Sequence, residues 1–220
     1  MSNELSQSLS NSISSEVTNI VSSSLEVGLD SIMNDGLLKD IPFISAAVSV
    51  YKIGHTIYER HLIKKLEQFI LALNQGVFDE EQREEYRKKI NSKNRNQELE
   101  YVLLIIDKFL DLEKPQKLAN LFLAYLDESI TWNDFAKCSE ILDRFLPGDF
   151  SELTKGEWHD IEDNTLSDNL LRLISFGLVY SKSNDITISN TIGSLSIPPQ
   201  SKKDYYLTAF GELLLNSLNH

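Results

Sequence analysis

The chain has 220 residues, of which 41% are hydrophobic and 25% charged, values that exclude wholesale disorder. Nine glycines and five prolines exclude a collagen-like or linker-dominated chain, and the one cysteine, Cys138, excludes a disulfide framework or a cysteine-based zinc cluster. A net charge of −12 makes the surface acidic and argues against non-specific binding to phosphate backbones.

Residues 1–40 hold six acids and one base and open without the basic region and apolar run of a secretory signal. With one cysteine, the expected compartment is reducing and therefore cytoplasmic. Serine fills ten of the first 24 positions, yet Leu5, Leu9, Ile13, Val17, Ile20, Val21 and Leu25 recur every three or four residues. This spacing predicts a helix with one apolar stripe and the serines on its other faces. Serine is a middling helix former, so the stripe needs a surface: the rest of this chain, a second copy, or a membrane. The polar face lacks the Lys and Arg of a membrane-surface helix, which favours docking within the protein or its oligomer.

Residues 41–146 read as a helical bundle. The stretch 41–58 has Lys52 as its only formal charge, but Pro42, Gly54, His55 and two serines interrupt it. A buried central helix is therefore favoured over a membrane span. Leu5, Leu9, Ile13, Val17, Ile20, Phe43, Val48 and Tyr51 are the candidate oligomer or membrane contacts. Helical spacing runs from Phe43 to Leu73, and Gly76 suits a left-handed cap. Asp79 with Gln82 predicts the start of a charged helix, acids first and bases last, in keeping with the helix dipole. Interleaved acids favour a solvated face there over an anion-binding patch extending to Lys93 and Arg95. Residues 97–112 predict a buried helix carrying Leu99, Val102, Leu103, Ile105, Ile106, Phe109 and Leu110. Pro115 marks the first turn of the next helix, and Thr131 with Asp134 opens another that Pro147-Gly148 ends. Cys138 lies within that last helix as a small buried hydrophobe. Short connections imply antiparallel neighbours.

The texture changes in residues 147–220. Thr154 with Glu157, and Thr165 with Asp168, predict two short helices, the second ending at Gly177. Strands follow at 178–180, 186–188 and 205–207, and Thr208 caps a closing helix. The fold class is mainly α: a helical bundle followed by a C-terminal winged-helix-like α+β domain. Leu170, Leu173, Gly177, Leu178 and Val179, followed by Tyr206, Leu207, Thr208, Gly211 and Leu215, carry the resemblance to winged helix-turn-helix domains. Candidate nucleic-acid contacts are Arg172, Lys182, Lys202 and Lys203, with Asn164 and Asn169 as base readers. Four cations in a segment of net charge −4 favour a protein–protein module over a DNA reader.

The run "IPFISAAVSVYKIGHTIYERHLIKKLEQFILAL", the charged helix, two buried helices and the "GLV…YYLTAFGELLL" ending resemble the Abi-alpha family of bacterial proteins. The resemblance covers residues 40–217 through patterned hydrophobics, Pro42, Lys64-Lys65 and Gly211. It implies a role in abortive infection, the phage defence in which an infected cell arrests or dies. It supplies no catalytic residues.

No Arg stands a few residues ahead of a His as in helical-bundle RNases, and there is no Gly-rich phosphate loop, HExxH or G-x-S-x-G. His55, His61, His159 and His220 are scattered, and Glu157, His159, Asp160, Glu162 and Asp163 read as a solvated acidic loop before a cation site. The expected function is a non-enzymatic anti-phage protein acting through a protein partner or its own oligomer. No cofactor, metal or small-molecule substrate is expected. The alternatives are a winged-helix transcriptional regulator and a membrane-disrupting effector.

Overall fold

A computed structural model describes residues 4–14, 17, 41–51, 57–75, 79–92, 95–162, 165–183 and 202–219. Among them run α1 (Glu4–Ser12), α2 (Pro42–Tyr51), α3 (Ile57–Gln75), α4 (Glu80–Ser92), α5 (Asn96–Lys108), α6 (Lys114–Leu126), α7 (Trp132–Arg144) and α8 (Pro147–Leu153). Then follow β1 (Glu157–Glu162), α9 (Asp168–Ser175), β2 (Val179–Ser183), β3 (Lys202–Leu207) and α10 (Ala209–Leu218). The protein is mainly helical, a helical bundle with a small α+β unit. Its two compact units are Met1–Asp143 with Ser217–His220, and Arg144–Asn216.

In the first unit α3 packs along α6, and α1 lies against α2, α4 and α5. Its centre is an aromatic chain, Phe43, Phe69, Phe122 and Phe135, continued by Tyr125, Trp132 and Tyr101, with successive ring centroids 5.4 to 6.3 Å apart. Such tilted and edge-on pairs add to the area they bury. Helix starts follow the sequence signals. Gln82 N donates to Asp79 Oδ1 at 2.8 Å, and Thr131 and Asp134 form a reciprocal box in which each backbone N–H meets the other side chain. The Thr131 hydroxyl, donating to Asp134 Oδ2 at 2.6 Å, and then the Thr131 N–H hold the Asp134 carboxyl below its ordinary range. Pro115 occupies the first turn of α6.

Helix ends are handled differently. Lys65 Nζ donates to the Asp107 and Phe109 carbonyls at the end of α5, and Lys114 Nζ to Asp143 O in the last turn of α7. Arg95 Nε donates to Lys89 O in the last turn of α4. Arg87 reaches Ile13 O, just past the end of α1, with both Nε and Nη2. Cations suit helix C-termini, where unpaired carbonyls and the dipole concentrate negative charge.

Helix α5 is shorter than the sequence predicts. It ends at Lys108, where Phe109 turns extended, so Leu110 is 89% exposed and outside the core. Helix flanks residues 52–56 on both sides, while Gly76 and those five residues lie outside the described residues. Among the described residues no helix is long and apolar enough to cross a membrane.

In the second unit β3 is the centre of a three-stranded antiparallel sheet of order β1-β3-β2. Trp158 and Val179 pair with Tyr205 and Leu207, and α8 packs on α9. The helix expected from Thr154 and Glu157 is absent. Gly156 takes φ +76° and turns the chain into β1 instead, so the acidic run expected as a loop is an edge strand. A bulge between Trp158 and Ile161, with Asp160 at φ +55°, interrupts that edge. The cap of α9 is Ser167, whose side chain accepts from Leu170 N, and Thr165 instead donates to Glu162 O. The strand expected at 186–188 lies outside the described residues.

Thr208 ties the closing helix to the sheet. Its N–H and hydroxyl meet the Leu178 and Gly177 carbonyls, and its Oγ1 accepts from Gly211 N at 3.0 Å. Gly211 is held because a Cβ there would run into the Leu178 carbonyl. Gly211→Ala is therefore expected to destabilise the α+β unit by about 1–3 kcal/mol, read as a lower urea midpoint.

Candidate interaction site at the N-terminal helix

The apolar stripe of α1 is buried in its own chain: Leu5, Leu9, Ile13 and Val17 are all inside, as is Phe43 of α2. In this conformation they are core positions, not a free contact surface. Val48 is half-buried, Tyr51 ends α2, and Ile20 lies outside the described residues.

The serines fall off the apolar stripe, on the other faces of the helix, and three of them meet neighbouring helices. Ser6, Ser10 and Ser12 are buried. Their small hydroxyls let α1 approach closely and give each neighbour a partner. Ser6 donates to Asn96 Oδ1 of α5 through both its N–H and its hydroxyl, at 3.1 and 3.0 Å. Ser10 Oγ accepts from Asn91 of α4, and Ser12 Oγ accepts from Phe43 N in the first turn of α2. That last bond caps α2 from thirty residues upstream, a role no local sequence signal announces.

The C-terminal end of α1 sits on Asn74 of α3 and Arg87 of α4. Asn74 Oδ1 accepts from Ser14 N and from Arg83 Nη1, while its Nδ2 donates to the Ser12 and Ile70 carbonyls. Its full hydrogen-bonding capacity is used. Asn96 is less well served, for its Nδ2 is buried without a partner.

Opposing terms nearly cancel at this seat. Burying Leu5, Leu9 and Ile13, the aliphatic side chains within 4–14, contributes about 6 kcal/mol at ~2 each. Eight hydrogen bonds between 4–14 and the rest of the bundle add about 8 at ~1 each. Ordering the backbone of residues 4–14 costs about 16 at ~1.5 per residue. The unpartnered Asn96 amide weighs against docking by about 1–3 kcal/mol more. Helix α1 is thus attached by many contacts at little net gain.

The remaining shifted groups have structural partners. Burial pushes the Lys65 amine down, against the attraction of Asp107. Burial, then hydrogen bonds at 2.7 and 2.8 Å to the Asp127 carboxylate, push the Tyr86 phenol up, and burial does the same at Tyr101 and Tyr125. The Cys138 thiol is pushed up to about 12 by burial in α7. Among the described residues no group of three or more His, Cys, Asp or Glu side chains is placed to hold a metal ion.

The candidate nucleic-acid contacts do not form a basic patch. Arg172 Nε and Nη2 grip both oxygens of Asp149, which is fully buried, and Nη2 also meets Asn169 Oδ1. Asp149 in turn accepts from Leu146 N at 2.7 Å, so the pair holds the start of α8 to α9. The guanidinium named as a candidate nucleic-acid contact is therefore engaged inside the unit. Lys182 and Lys202 are exposed, but the register sets them opposite Asp204 and Glu162; Lys203 lies opposite Ile161 and Ser183. On α4, Arg87, Lys88 and Lys89 pair with Glu80, Glu84 and Glu85; Lys88 is exposed with its acids, whereas Arg87 and Lys89 are half-buried and also turn toward Ile13 O and Asp127. Lys93 lies outside the described residues.

Arg172→Ala leaves a buried carboxylate unpaired and is expected to lower the melting temperature, whereas Lys182→Ala leaves it unchanged within error; scanning calorimetry compares them. A phenol pushed up by folding contributes stability that is present below its ordinary value near 10 and is lost as pH rises beyond it. Denaturation midpoints should accordingly fall above pH 10, and Tyr86→Phe should make that fall shallower. No protein-family model, curated protein or solved structure matches the chain.

Proposed function

We propose that this protein is a bacterial anti-phage protein of the abortive-infection type that acts in the cytoplasm by binding other protein surfaces, not by catalysis. The observation that carries this reading is the seat of α1: a short, serine-rich helix covers buried apolar positions of α2, α4 and α5 and is tied to them by side-chain hydrogen bonds. Release of α1 would expose an apolar groove edged by Asn74, Arg87, Asn91 and Asn96, a surface suited to another helix. The resemblance to the Abi-alpha family supplies the biological setting. A binding role draws support from Lys65 and Cys138, whose shifts come from burial in the bundle, and from Tyr86, whose shift comes from burial and its bonds to Asp127.

The smaller unit is read as a winged-helix-like module that contacts protein. The order helix, strand, helix, two strands, helix and the β1-β3-β2 sheet support that reading. The inward engagement of Arg172 and the carboxylates opposite Lys182 and Lys202 favour a protein partner over duplex DNA.

Cells expressing the full chain are expected to yield fewer phage plaques than cells carrying an empty vector; equal plaque numbers would overturn the defence role. Light scattering tests the seat. A chain lacking residues 1–17 bares the groove and should associate, and two identical monomers would overturn the binding role.

A further inference from the structure

We infer that the outer face of the β1-β3-β2 sheet binds an extended, arginine-bearing segment of a partner protein. This rests on the protein-contacting role proposed above for the smaller unit, and names the surface and the chemistry of the partner. Side chains alternate along strands, and Trp158, Val179 and Tyr205 turn inward and are buried. Their neighbours stand on the opposite face, where Tyr206 lies between His159 and Tyr180 with ring centroids 6.0 and 5.9 Å apart. Tyr180 is 48% exposed, and the His159 and Glu157 side chains are 58% and 62% exposed. The face is a row of three rings whose outer two lie open to solvent.

Carboxylates border this row. The register sets Glu157 opposite Tyr206, and the His159 ring lies 3.3 Å from Glu157 Oε2 and 3.6 Å from Asp204 Oδ1. Partial desolvation, then Asp204 and Glu157, push the Tyr206 phenol up, as a negative potential at the central ring requires. Lys182 stands one row farther along, opposite Asp204. Tyrosines of the bundle have cations of their own: Lys89 lies 5.7 Å from the ring centre of Tyr86, and Arg95 4.7 Å from that of Tyr125. Among the described residues no Lys or Arg lies over Tyr180 or Tyr206.

These features select the partner. An apolar surface laid on the row would strip water from carboxylates without giving them a donor, and an anion, a phosphate backbone included, would be repelled. A guanidinium satisfies both parts of the face, stacking on a ring while its N–H groups reach the carboxylate beside it. Spacing agrees as well. Alternate side chains of an extended segment recur at about 6.8 Å, close to the 5.9 and 6.0 Å between the ring centres.

Fluorescence anisotropy of the full chain with dye-labelled peptides tests the site. A peptide of alternating Gly and Arg should bind, its Gly-Lys counterpart more weakly, and Gly-Glu not at all. Tyr180→Ser and Glu157→Gln should each weaken the Gly-Arg complex by about two- to fivefold, the worth of one exposed cation–π contact or ion pair. Tyr180→Phe keeps the ring and should retain affinity. So should Glu140→Gln, which removes the same charge from an exposed position on α7. The site is overturned if Gly-Arg fails to bind, if Gly-Lys binds equally well, or if Glu140→Gln weakens binding as much as Glu157→Gln. A labelled DNA duplex in the same assay separates the site from the role beneath it. Duplex binding overturns the protein-contacting role itself, whereas absence of both duplex and Gly-Arg binding overturns this site alone.

Discussion

Helix ends buried inside a bundle leave carbonyls that must find donors, and in this protein long basic side chains provide many of them. Lys65, Lys114, Arg87 and Arg95 each reach the terminal carbonyls of a different helix, and three of the four do so from another helix. Their aliphatic stems lie in the core while the charged heads meet oxygens that already carry partial negative charge. Lys65 is thus buried against helix-end carbonyls, while Arg95 and Lys114, also buried, pair in addition with Glu98 and Asp111 at 2.9 and 3.8 Å. It also gives Lys65, one of the residues behind the family resemblance, a structural role. Pro42 at the first position of α2 and Gly211 against the Leu178 carbonyl have structural roles too.

The same demand shapes the attachment of α1. Its last carbonyls are met by Asn74 and Arg87, and its serines return the exchange by capping α2 and accepting from α4. A leucine-rich helix would have docked by area alone and would have been hard to release. A serine-rich one docks through directional bonds that water can replace at modest cost.

In the smaller unit, fold and function separate. The smaller unit carries the element order on which the winged-helix proposal rests, yet Arg172 neutralises the buried Asp149 and fixes α8 to α9. A charge buried within one unit is withdrawn from intermolecular use, whatever its position in the sequence suggests.

Much of the architecture was legible in the sequence, because helix starts are local. Asp79–Gln82, Thr131–Asp134, Pro115 and Thr208 act within a few residues, and the three-to-four spacing of Leu5, Leu9, Ile13 and Val17 identifies a face that must be buried. Helix ends, β1 and the roles of the serines were not legible. Leu110 and the strand at Glu157 depend on where the chain finds partners far away, Lys65 for one and β3 for the other. Periodicity states that a surface must be hidden but not which surface hides it, and a serine carries no mark of the helix it will cap. Those pairings are made across dozens of residues by hydrogen bonds and packing, so the tertiary structure alone decided them.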